Sequence, residues 1–465
     1  MKPSSSISDP SLEIMTTSSL TAGLFASESM QRIFSDGNTI QSMLEFESAL
    51  ARALATEEVI PQSAADIIAS ACRADQIDAA ALSKAVSSAG NLAIPMVKQL
   101  TAVVARINVD AARYVHWGAT SQDVIDTGRV LQLREAIDLI TSELSELADV
   151  LAACARQHRT TIMMGRTWMQ HAQPTTLGLK IAGWLDALMR HQDRLQTLRK
   201  RLCVLQFGGA TGTLASLGDR GLIVATALAE GLSLDLPALP WHTHRDRIAE
   251  MATTLGLLTG TLGKIARDIA LHAQTEIAEL AEPLAAGRGG SSTMPHKRNP
   301  VACSAVLACI TRVPALVSTM LASMVQEQER ALGSWQAEWE TLPEIAMLTS
   351  AALNHLRELM SGLSVDTARM RANIDITQGL VMAEAVSLAL ASQIGRAAAH
   401  ELVEEACRKA VEGGRSLRDI LQSDLRMPVE FSAAKLDALF DPERYTGEAP
   451  AFVDRVLEHH RLRKA

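Results

Sequence analysis

Residues 130–154 read VLQLREAIDLITSELSELADVLAAC. Apolar side chains recur at Val130, Leu133, Ile137, Ile140, Leu144, Leu147, Leu151 and Cys154, in steps that alternate three and four. That spacing is a heptad seam on one face of a long helix. Asp126-Thr127, just ahead of it, offers N-cap chemistry and sets the expected helix start. A second seam follows at Leu177, Ile181, Trp184, Leu188, Leu195, Leu198 and Leu202, behind a Gln173-Pro174-Thr175-Thr176 turn. A third runs through Ile248, Met251, Leu255, Leu258, Leu262, Ile265 and Ile269. Each predicts a helix of about 25–30 residues, well beyond the usual 11–12. The fold class expected is all-α, a long-helix bundle. Gly256, Thr259, Gly260 and Gly263 lie beside the third seam, so that helix needs cover on more than one side. Other copies of the same chain are expected to supply it.

Composition points the same way. Of 465 residues, 48% are hydrophobic and 21% charged, enough apolar matter for a large core and too little charge for disorder. Aromatics are only 3%, and the 27 Gly and 15 Pro are few, which favours helix over sheet. No convincing strand alternation is visible. The formal charge of −8 argues against a nucleic-acid coat or an anionic-membrane binder. Cys72, Cys154, Cys203, Cys303, Cys309 and Cys407 form no Cys-x-x-Cys or zinc pattern and read as buried hydrophobes in a reducing compartment. The N-terminal residues 1–14 are a Ser/Pro-rich tail with no apolar signal core, and Met15 is an alternative start. The apolar stretch from Ala302 to Val325 has spanning length, but Arg312 and Pro314 sit within it, so it reads as a helix buried in protein. A cytoplasmic protein is expected, divided into an N-terminal helical domain (1–115), a central long-helix domain (116–364) and a C-terminal helical domain (365–465).

Three polar segments abut the ends of the long helices. They run from Val115 to Asp123, from Gly165 to Pro174, and from Gly287 to Pro300. The third offers glycines, then serine hydroxyls, then the cation of Lys297, which suits closure over an anionic substrate. It has no phosphate-loop spacing. Read as pattern alone, it is equally a surface loop ending in a helix cap.

The string GSSTMPHKRNP, residues 290–300, matches the signature loop of the fumarase/aspartase superfamily, G-S-S-x-M-P-x-K-x-N-P, at every specified position. Thr120-Ser121 with Asp123 is similar to the first conserved stretch of that superfamily, and Thr167 to Pro174 to its T-H-x-Q-x-A-Q-P stretch. The resemblance implies a homotetramer with a central twenty-helix bundle, and active sites each shared by three subunits. It implies chemistry in which a loop serine, here Ser291, acts as base beside a carbon acidified by a carboxylate. It gives Lys297, Asn299, Thr120 and Ser121 substrate-carboxylate contacts, with Ser292 and Gln170 at matching positions. A serine hydroxyl is a poor base and needs cations and loop closure around it.

One position departs from the pattern. Trp168 stands where many of these lyases carry a histidine that helps protonate the leaving group. Indole donates a hydrogen bond but does not titrate. An amine leaving group needs that proton, help worth about 10²–10⁴ in rate. A carboxylate, with a pKa of about 4, does not. The chain accordingly looks most like the lactone-forming cycloisomerases of the superfamily, also through Trp241-His242-Thr243 and the stretch from Glu329 to Trp339. These add a substrate's own carboxylate across a double bond in protocatechuate breakdown. The implied substrate is a small tricarboxylate, which calls for local positive charge. Arg330 is the candidate to hold the attacking carboxylate; the other reading pairs it with Glu327 or Glu329. His116 and His171 are candidate contacts, or else hydrogen bonders at bundle ends. Arg245 and Arg247 are weaker candidates, read as surface charges at a helix start. Trp168 either walls the site or packs in the core. No metal or organic cofactor is expected, because the substrate's carboxylate is the electron sink and no ligand cluster is visible. The alternatives are an adenylosuccinate lyase, which shares the P-H-K-R-N-P string, and a catalytically silent structural member.

Overall fold

The computed structural model describes residues 20–283, 289–290, 294 and 297–464. It is all-α apart from two short antiparallel strand pairs. Five long helices dominate: Ser121–Gln157, Leu177–Leu202, Asp246–His272, Val301–Ala322 and Ser334–Ser361. The three seams are buried as their spacing demands. Leu133, Ile137, Ile140, Leu144, Leu147 and Leu151 are all fully covered, as are Leu188, Leu195, Leu255, Leu262 and Ile269.

The chain divides into two compact units. One comprises Met1–Leu144, His191–Gly260 and Ala308–Asn354; the other comprises Ser145–Arg190, Thr261–Leu307 and His355–Ala465. In the first, the helix Asp36–Thr56 packs on Gln62–Ala71 and Gly221–Leu232. Its Phe46 is fully buried and meets the Phe207 ring at 6.3 Å. In the second, Ala383–Ile394 packs on Arg396–Gly413, closed over by Leu417, Leu421, Phe431 and Leu436.

Three expectations change. The first long helix begins at Ser121, not after Asp126-Thr127. Both of those residues are buried inside it, where Thr127 donates to the Gln206 carbonyl at 2.8 Å. The segment around Trp168 is a β-hairpin, Ile162–Thr167 paired with Gln170–Thr176. Of the second turn, only Thr176 caps the helix, its Oγ1 accepting from the Leu179 amide at 3.1 Å. The apolar helix Val301–Ala322 is only 33% buried within the chain over its most apolar window. Arg312 on it pairs with Glu344 and lies over the Phe25 ring at 5.2 Å.

Candidate active site

The first polar segment lies in the first unit and is organised by Asp123. This carboxylate is fully buried and reaches back to the Thr120 amide at 3.1 Å, closing the helix start as a cap. It also accepts from the amides of Gly208 (3.1 Å) and Gly209 (2.9 Å), from Gln206 Nε2 (3.2 Å) and from His242 Nε2 (2.8 Å). Thr120 and Ser121 are thereby held half-exposed at a helix N-terminus. Amide donors and the positive end of the helix dipole there favour a carboxylate. His116 stands just ahead, at φ +60°, with Nδ1 2.5 Å from Glu47 Oε1. Burial opposes charge on this imidazole, but the adjacent Glu47 carboxylate outweighs it and the pKa is raised.

Arg330 belongs to the same unit. Its Nη1 donates to Gln122 Oε1 at 3.1 Å, and its Nη2 to the carbonyls of Gly209 (2.8 Å) and Ala210 (3.1 Å). Neither Glu327 nor Glu329 pairs with it; Glu327 instead accepts from the Leu332 amide at 3.1 Å. Desolvation lowers the pKa of Arg330, against the attraction of Asp123 and Asp126. Arg245 is not a surface charge. It is 4% exposed and bidentate to Asp126 at 2.7 and 3.1 Å, bonds Glu338 Oε1 at 3.0 Å, and lies 4.9 Å from the Trp241 ring. Its hydrogen-bonding fork is spent on two buried carboxylates, so it is structural. Arg247 is half-buried near the same helix start.

The second segment lies in the second unit. The hairpin tip is Trp168-Met169, with φ +52° and +65°, the left-handed conformation of a tight two-residue turn. Neither residue is glycine or asparagine, so the conformation is strained. Trp168 is 97% exposed, which rules out core packing within the chain. Gly165 sits at the bulge of the hairpin, where a Cβ would lie 2.5 Å from the Gln173 carbonyl. Gln170 and His171 line a cavity of about 1170 Å³ with Arg166, Lys180 and Glu384. His171 Nδ1 is buried there with no hydrogen-bond partner among the described residues. Burial, then Arg166, lower its pKa against the pull of Glu279.

The third segment, also in the second unit, lines a separate cavity of about 770 Å³ with Lys297, Asn299, Gly289, Glu282 and Asp366. Ser291 and Ser292 lie outside the described residues. The base of the loop is pinned where Asn299 N–H meets the Gly289 carbonyl at 2.9 Å. Gly289 has φ +69°, and a Cβ on it would lie 2.7 Å from the Asn299 carbonyl. Glu282 fixes the exit by accepting from the amides of Ala302 (3.0 Å) and Cys303 (2.9 Å) at the start of the next helix.

Thr120, Ser121, His116 and Arg330 thus share one unit, while Trp168, Gln170, His171, Lys297 and Asn299 share the other, in two cavities. Sequence reasoning missed Glu47, Gln122, Asp126, Glu338 and Glu279. Gln122 adjoins Asp123 inside the first stretch and Asp126 lies three residues beyond it, so both carried a positional hint. Glu47 carried none, because His116 is 69 positions away. Glu338 lies in the Glu329–Trp339 stretch, but its partner Arg245 is 93 positions away. Glu279 sits seven residues from His272, but Arg166 and Asn373 are 113 and 94 away.

A long-helix lyase scaffold that carries these three motifs defines a class. Residues 17–315 match the Lyase family and residues 379–456 match Adenylosuccinate lyase C-terminus; the chain belongs to the fumarase/aspartase lyase superfamily. It is 56% identical over 439 residues to a 3-carboxy-cis,cis-muconate cycloisomerase of Pseudomonas aeruginosa, covering 94% of this chain and 96% of that one. Its fold matches the 3-carboxy-cis,cis-muconate lactonizing enzyme of Pseudomonas putida at TM-score 0.93 and 52% identity, over 96% of this chain and 100% of that chain. It matches the β-carboxy-cis,cis-muconate cycloisomerase of Acinetobacter calcoaceticus at TM-score 0.91 and 47% identity, over 95% and 100%.

Proposed function

We infer that the chain is an isomerase that closes 3-carboxy-cis,cis-muconate to 4-carboxymuconolactone, adding the substrate's own carboxylate across a double bond in the protocatechuate branch of the β-ketoadipate pathway. The observation that carries this is Trp168, a non-titrating indole held fully exposed at the hairpin tip where an amine-releasing lyase places a histidine. A carboxylate nucleophile, or leaving group in reverse, needs no such acid. The near-full-length relatives carry the same substrate in their names.

By motif position, Lys297, Asn299 and the Thr120-Ser121 helix start are the groups that meet the substrate's negative charges, and His116 and His171 are further contacts. Arg330 faces the attacking carboxylate with a guanidinium that, among the described residues, donates to neutral acceptors only, so its charge is available. Two parallel N–H···O bonds would hold the attacking oxygen near carbon, converting binding into proximity. In the eliminating direction Ser291 removes the proton from the carbon beside a carboxylate. Gln170, Ser292 and Trp168 complete the substrate contacts.

A homotetramer with a twenty-helix core, its active sites shared between subunits, accounts for the sparse cover of Val301–Ala322. The six free thiols, four of them buried, favour a reducing cytoplasm. Along the sequence the regions are read as 1–115, 116–364 and 365–465, the middle one contributing to both compact units.

Incubation with 3-carboxymuconate tests the function. Loss of the conjugated-diene absorbance, with lactone identified as product, is expected, and adenylosuccinate run in parallel is expected to stay intact. Release of the nucleotide with the muconate untouched would overturn the assignment in favour of an adenylosuccinate lyase. Inactivity on both by a folded oligomer would favour a silent member.

A further inference from the structure

Gln122 is half of a contact whose geometry is over-determined. Its Nε2 donates to Asp126 Oδ2 at 3.0 Å and to the His242 carbonyl at 2.7 Å. Both amide hydrogens are therefore committed to strong acceptors, which leaves Oε1 as the face presented to Arg330 Nη1 at 3.1 Å. Reversing the amide would set an oxygen against a carboxylate and a carbonyl, and an NH₂ against a guanidinium, so only one orientation is allowed. Asp126 is itself immobile. It is 3% exposed and takes Arg245 through both oxygens, as well as Trp335 Nε1 at 2.9 Å. Asp123 and Asp126 are the carboxylates whose charge reaches Arg330. Each is bound to other donors, and neither lies within ion-pair distance of it among the described residues. The guanidinium is thus aimed by three neutral oxygens while its charge stays unspent.

We propose that Gln122 is the positioning residue for Arg330, its amide orientation locked by Asp126 and the His242 carbonyl. Its neutrality keeps the guanidinium free for the substrate's attacking carboxylate. A glutamate at this position would lose both donors and set an oxygen against Asp126 and the His242 carbonyl. This rests on the role given to Arg330 under the proposed function.

The test is a double-mutant cycle on the full-length enzyme, with kcat and KM for 3-carboxymuconate measured in wild type, Gln122→Met, Arg330→Met and the double variant, and melting checked in each. Arg330→Met is expected to lower kcat/KM by about 10²–10³. Gln122→Met should lower kcat by about 10–10² through misplacement of the guanidinium. On the Arg330→Met background, Gln122→Met should change kcat by less than about 2-fold, because two residues acting through one contact do not add. Gln122→Asn, which keeps the amide but draws its oxygen back by one methylene, is the second variant should Gln122→Met fail to fold. It is expected to lower kcat by about 10-fold with KM little changed, since Arg330 keeps its charge and loses its aim. Near-normal kcat in Gln122→Met, additive losses in the double variant, or near-normal kcat in Gln122→Asn each overturn the proposal while Arg330→Met remains impaired. A wild type inactive on the muconate, or an unimpaired Arg330→Met, overturns the underlying reading and this inference with it.

Discussion

Glu279 is a carboxylate that no solvent reaches. It holds its charge by bonding His272 Nδ1 at 2.7 Å, Arg166 Nη2 at 2.7 Å and Asn373 Nδ2 at 2.8 Å. Burial alone would raise its pKa; the His272, Arg166 and Asn373 hydrogen bonds overcome that and bring it down to about 2. Depressed below the unfolded value of about 4.5, it stabilises the fold fully above that pH, and the contribution fades as pH falls towards 2. The shift corresponds to stabilisation on the order of 3 kcal/mol. Glu279→Gln should therefore cost about that much in urea unfolding at pH 7, and the gap to wild type should close as pH drops below about 4. A gap that is constant with pH would mean the loss is packing rather than charge. At the tip of the same unit's hairpin, Trp168→His is expected not to create adenylosuccinate cleavage, since the contacts proposed for Arg330 and the helix-start hydroxyls still suit a small tricarboxylate. Parallel assays with adenylosuccinate check this, and robust nucleotide release would show that one side chain decides the chemistry. Arg245 shows the limit of local reading. In sequence it is an arginine at a helix start, yet Asp126 and Glu338, its two partners, lie 119 and 93 positions away.

Elements were legible where their pattern is local. The seams at Leu133–Leu151, Leu177–Leu202 and Ile248–Ile269 predict their helices because apolar spacing within one turn decides burial. The hairpin was not legible. The Gly165 bulge and Pro174 break its alternation, and its polar residues face a cavity rather than water on one side and core on the other. Asp126-Thr127 looked like a cap because that chemistry suits both a helix end and a buried polar contact, and only the fold tells them apart. Glycine spacing carries a further consequence. Gly178, one residue into its helix, brings that helix against the end of the preceding one: a Cβ there would lie 2.7 Å from Arg159 Cα and from the His158 carbonyl. Those are backbone atoms and cannot swing aside. Gly178→Ala is expected to destabilise by about 1–3 kcal/mol, as overpacking does. Gly183, on the same helix, has nothing within 4 Å of its missing Cβ. Gly183→Ala should be neutral or stabilising by up to about 1 kcal/mol. Thermal melts of the two variants give opposite signs if contact, not helix propensity, governs Gly178.

At the scale of the molecule, sequence and structure meet on one unfinished surface. Gly260 on the third long helix is exposed with nothing within 4 Å of its Cβ position, whereas Gly256 on the preceding turn meets Val317 at 3.1 Å. Leu321, near the end of the helix Val301–Ala322, is 47% exposed, and Val325 just beyond it is 79% exposed. Large apolar side chains left exposed on a helix end are a candidate interaction surface. In a symmetric assembly the same helices of other copies would lie on it, with small residues allowing close approach. The three polar segments, split between two units of the chain, would then find their complements on neighbouring subunits. Gly260→Trp separates this from a merely tolerant surface. Within one chain the indole has room, so the melting of an isolated subunit should be unchanged. In a packed tetramer it fills the space another backbone occupies. Light scattering is expected to show dissociation to smaller species, and, on the proposed sharing of sites between subunits, turnover should fall at least 10²-fold. A tetramer that survives the substitution with full activity would place the intersubunit contact elsewhere on the chain.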